Sequence, residues 1–121
     1  MDRRRPGGRI LTLDGYPHRG QPIMLTEFGG IVYTGRPTSS DGKIWGYSRA
    51  DNEIEFLDRY RWLLQVANNN AVFSGFCYTQ FADTFQEANG LLYADRTPKV
   101  PLESIAAATR KRSDVEIATY P

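Results

Sequence analysis

The sequence predicts an α/β fold built on a parallel sheet. Two observations carry that expectation. Residues 23–28 and 75–80 are short, continuous apolar runs bounded by Pro, Gly and Asn turn signals. Each is followed, after a loop, by a stretch with apolar residues at helical spacing. The order is therefore strand, helix, strand, helix, with no internal repeat, and that alternation marks βα units.

Residues 1–20 are rich in Arg, Gly and Pro and read as a flexible basic tail and loop. Within them residues 10–13 have the apolar character of a short strand before a turn at Asp14-Gly15. Pro22 opens the run Ile23, Met24, Leu25, Thr26, Glu27, Phe28, and Gly29-Gly30 closes it. Residues 31–47 form a long loop interrupted by Trp45 and Tyr47. A βα connection of that length is often functional. Ser48-Arg49-Ala50-Asp51 offers a capping-box-like helix start. Phe56, Leu57, Tyr60, Leu63, Leu64 and Ala67 then share one helical stripe, and Asn68-Asn69-Asn70 stops it.

The aromatic content of residues 75–80 favours a strand. A loop over residues 81–99 leads to Pro101, well suited to a first helical position. Leu102, Ile105, Ala106 and Thr109 give the last helix its inward face. Arg110, Lys111 and Arg112 close it, where cations suit the dipole. The organisation expected is a tail over residues 1–20, an ordered body over 21–112 and a frayed end over 113–121.

Composition excludes more than it suggests. The 121 residues carry a net charge of +1, so overall electrostatics select no partner. Arg3, Arg4 and Arg5 have no aromatics interleaved, which argues against nucleic-acid binding. The single cysteine, Cys77, permits no intrachain disulfide and points to a reducing, cytoplasmic setting. No apolar run is long enough to span a bilayer, so no membrane partner is expected. His18 is the only histidine, which leaves neither a zinc site nor a His-dependent nucleophile. No glycine-rich loop with a Lys is present to cradle a phosphate. Neither a metal nor another cofactor is expected.

Glu27 is the most unusual residue. It ends an apolar strand just before two glycines. A carboxylate at the carboxyl end of a parallel strand is where α/β barrels place catalytic groups. The plain alternative is a glutamate that caps the strand in solvent. Gln80, Asp83, Glu87 and Asn89 follow the second strand and would converge on the same mouth. Trp45, Tyr47, Tyr78 and Phe81 would offer flat faces for sugar rings, with core packing as the alternative for each. For Asp83 the alternative is a hydrogen-bonded turn.

These residues resemble a known family. Pro22-Ile23-Met24-Leu25-Thr26-Glu27-Phe28-Gly29-Gly30 is similar to the seventh-strand segment of family 2 glycoside hydrolases, the β-galactosidase, β-glucuronidase and β-mannosidase superfamily. Gly75-Phe76-Cys77-Tyr78-Thr79-Gln80-Phe81-Ala82-Asp83 resembles the eighth strand. Asn89-Gly90-Leu91-Leu92-Tyr93-Ala94-Asp95-Arg96-Thr97-Pro98-Lys99 resembles the segment leading to the eighth helix. The likeness covers residues 21–110.

The resemblance implies the last two βα units of a (β/α)₈ barrel, an incomplete barrel. It implies that Glu27 is the nucleophile of a retaining hydrolase of O-glycosides, with Trp45, Tyr47, Tyr78, Gln80, Asp83, Glu87 and Asn89 around the sugar. The family's acid/base, an Asn-Glu pair after the fourth strand, has no counterpart here: Asn52-Glu53 falls at a helix start. The chain alone is thus expected to be an inactive fragment that associates with itself. The alternative is a barrel fragment with no catalytic role. In the glucuronidases an Asn-x-Lys pair meets the substrate carboxylate. Glu87 and Asn89 occupy those positions, which implies a neutral β-glycoside, β-galactoside-like. Thr79 stands where several relatives have Trp, which removes one stacking surface.

Overall fold

The computed structural model describes residues 10–36 and 44–110. The Arg3 to Arg5 arm, residues 37–43, Lys111, Arg112 and the end over 113–121 lie outside them.

Six elements follow in order: β1 (Met24–Gly29), β2 (Ile31–Val32), β3 (Ser48–Arg49), α1 (Glu53–Asn69), β4 (Gly75–Thr79) and α2 (Leu102–Arg110). β1 and β4 pair in parallel, Met24 opposite Gly75 and Gly29 opposite Thr79. β2 and β3 make a second, two-residue parallel pair. The mixed α/β character and parallel pairing are those expected. Residues 10–13 form no strand, whereas the turn does form: the Tyr16 amide donates to the Leu13 carbonyl at 3.1 Å and Gly15 takes a φ of 80°. With no neighbouring strand to accept its hydrogen bonds, a four-residue apolar segment has no ladder to join.

The helix start also differs. Ser48 and Arg49 belong to β3, and Asn52 is the N-cap, its side chain accepting from the Glu55 amide at 2.9 Å. Glu55 reaches back to the Asp51 amide at 2.8 Å, so two unsatisfied donors at the helix start are covered.

The predicted stripe of α1 faces the sheet. Phe56, Tyr60, Leu64 and Ala67 are buried and Leu57 and Leu63 pack beside them. Their partners are Ile31, Tyr33, Val100 and the rings of Phe28, Phe76 and Tyr78. Phe28 meets Phe76 and Tyr78 edge-on at 5.6 and 5.7 Å, and Tyr78 meets Tyr60 edge-on at 4.9 Å. Each fully buried large side chain contributes about 1.5–3 kcal/mol, so this layer holds α1 to the strands. α2 packs against α1, with Tyr60 hydrogen-bonded to Thr109 at 2.9 Å. Its innermost residue is Ala108. Leu102, expected inward, is 54% exposed. It borders an open apolar groove of about 380 Å³ shared with Phe81, Leu91, Leu92, Pro98 and Ile105, and nothing among the described residues fills it.

Candidate active site at the carboxyl ends of the strands

The pairing of β1 with β4 is irregular at Glu27. Leu25 lies opposite Phe76 and Phe28 opposite Tyr78, so Thr26 and Glu27 together oppose Cys77. This is a β-bulge in a parallel pair, an uncommon feature that re-aims side chains and concentrates beside active sites. Phe28, Phe76 and Tyr78 point to the helix-covered side, while Thr26, Glu27 and Cys77 are exposed. Glu27 therefore stands on the uncovered side of the sheet, one residue from the packed layer.

The two glycines after Phe28 have separate jobs. Gly29 and Gly30 have φ of 117° and 75°, in the region that favours glycine. A Cβ on Gly29 would collide with the Tyr78 ring and the Thr79 carbonyl. One on Gly30 would collide with the Tyr47 ring. The motif thus lets Tyr47 lie directly on the end of β1. The Tyr47 amide donates to the Gly30 carbonyl at 2.9 Å, and the Gly30 amide donates to the Thr79 carbonyl at 2.8 Å.

The loops after β1 and β4 are laced together at this end. The Trp45 amide donates to the Gln86 carbonyl at 3.1 Å, and the Tyr33 amide donates to the Ala88 carbonyl at 3.1 Å. Gln80 ties its own loop, its Nε2 donating to the Glu87 carbonyl at 3.3 Å and to Thr84 Oγ1 at 3.4 Å. Beneath them lies Lys99, its side chain fully enclosed. Its Nζ meets Asp83 Oδ1 at 2.7 Å and the carbonyls of Tyr33 and Ala88 at 2.8 Å each. Those three partners match the three donors of an ammonium. Asp83 Oδ1 also accepts from the Gly90 amide at 2.8 Å. Burial pulls the Lys99 ammonium below its ordinary pKa of 10.5, and Asp83 opposes that pull. Burial raises the phenols of Tyr33 and Tyr93 nearby, with Glu53 adding to the shift at Tyr33.

The sequence-selected residues thus divide. Glu27 stands exposed on the bulge. Trp45 and Tyr47 stand together, edge-on at 6.2 Å, with Trp45 paired to Glu87. Gln80 and Glu87 lie on the same laced loops. Asp83 is committed to the Lys99 lock, the hydrogen-bonded alternative. Tyr78 points into the helix layer and packs as core. Asn89 is buried at 1% exposure, and its Oδ1 has no hydrogen-bond partner among the described residues. Phe81 is 69% exposed beside the α2 groove.

Sequence reasoning assigned no role to Lys99, Gly90 or Phe85. Gly90 is needed because a Cβ there would strike the backbone of Ala82 and Asp83. No group of three or more His, Cys, Asp or Glu placed to hold a metal ion occurs among the described residues. Among them, too, no helix is long and apolar enough to cross a membrane.

The fold and site together define an α/β chain with an exposed carboxylate at the carboxyl end of a parallel strand pair. No protein-family model and no curated protein sequence matches it.

Proposed function

We propose that this chain is the nucleophile-bearing part of a retaining glycoside hydrolase of the family 2 kind, its β1 and β4 serving as the seventh and eighth strands of a (β/α)₈ barrel. The observation that carries the reading is the bulge that sets Glu27 on the uncovered face at the carboxyl end of β1. The three sequence motifs support it independently.

In this reading the substrate is a neutral β-glycoside. The Glu27 carboxylate attacks the anomeric carbon, and the bond from that carbon to the leaving oxygen breaks. The departing group takes a proton from an acid/base outside this chain. Water then hydrolyses the glycosyl ester, giving up a proton to the same acid/base and restoring the carboxylate. Retaining hydrolysis needs two carboxyls about 5–5.5 Å apart. Asp83 is tied to Lys99, so Glu27 is the carboxylate we assign here and the second comes from elsewhere. Loss of general acid help alone removes about 10²- to 10⁴-fold in rate. The isolated chain is therefore expected to show no turnover of an aryl β-galactoside. Turnover by the pure chain that Glu27→Gln abolishes would refute that division of labour.

The second reading, a non-catalytic fragment that associates with itself, is favoured by one observation. Among the described residues β1 and β4 pair only with each other, which leaves both outer edges open, and Met24 of β1 as well as Phe81 and Leu102 at the α2 groove are exposed. Open edges and apolar faces invite pairing with another chain. Both readings predict a homo-oligomer of the isolated chain, a two-fold dimer being the commonest form. A monodisperse monomer in light scattering would overturn that expectation. The lone exposed cysteine fits a reducing, cytoplasmic location for either.

A further inference from the structure

We draw no further inference here: the strongest candidate, the open apolar groove that Phe81, Leu92, Leu102 and Ile105 line between α2 and the loop after β4, carries nothing because nothing among the described residues shows what covers it.

Discussion

The ammonium of Lys99 sits 2.7 Å from the carboxylate of Asp83, with the lysine side chain wholly out of solvent. The same nitrogen holds the carbonyls of Tyr33 and Ala88. One cation therefore fastens the segment after β2 to the loop after β4. Such a pair is poor evidence of net stability, because desolvation offsets the attraction, but removing one partner strands the other.

Lys99→Met should accordingly destabilise the chain by about 3–5 kcal/mol, since it leaves a mostly buried carboxylate and two carbonyls without their donor. Urea denaturation measures this. A loss under 1 kcal/mol would mean that water replaces the ammonium and that the loops do not depend on it. Asp83→Asn should destabilise less, because the amide oxygen still accepts from Gly90 and Lys99.

Gly90→Ala should cost about 1–3 kcal/mol, the range for overpacking. The added methyl meets the Ala82–Asp83 backbone, which is itself fixed by the Asp83 amide donating to the Leu92 carbonyl at 3.0 Å. Thermal unfolding reads the change. A midpoint equal to that of the parent chain would show that the loop gives way.

Acid should loosen the start of α1. The Asp51 amide and the Arg59 guanidinium, 2.6 Å from Glu55, hold the Glu55 carboxyl below its ordinary 4.5. A carboxyl held low when folded binds its proton more readily when unfolded. Its contribution is thus fully present above 4.5 and is lost as pH falls through the lowered folded value. Stability measured from neutral pH into that range should fall less steeply for Glu55→Gln than for the parent. Identical slopes would remove Glu55 from the acid response.

The alternation of elements was readable because residues 23–28, 75–80 and the α1 stripe follow strong periodic rules. Their ends were less so. Ser48-Arg49-Ala50-Asp51 has the residues of a capping-box-like start, but Ser48 pairs with Ile31 and Asn52 is the N-cap of α1. That choice depends on a strand distant in sequence. Glu27 stood out as a carboxylate in an apolar run, yet the bulge beneath it is a property of two strands together. The Lys99 lock has no sequence signature for the same reason, since a single lysine gives no pattern and its partners lie 11 to 66 residues away.

The central claim is that Glu27 is a nucleophile. The most direct measurement treats the polypeptide that combines this segment with its acid/base with a 2-deoxy-2-fluoro β-galactoside carrying a dinitrophenyl leaving group, then maps the labelled peptide. The fluorine slows hydrolysis of the glycosyl ester so that it accumulates. The account predicts one fluoroglycosyl group, on Glu27, and none on the Glu27→Gln protein. A label on Asp83, Glu87 or any other carboxylate would contradict it.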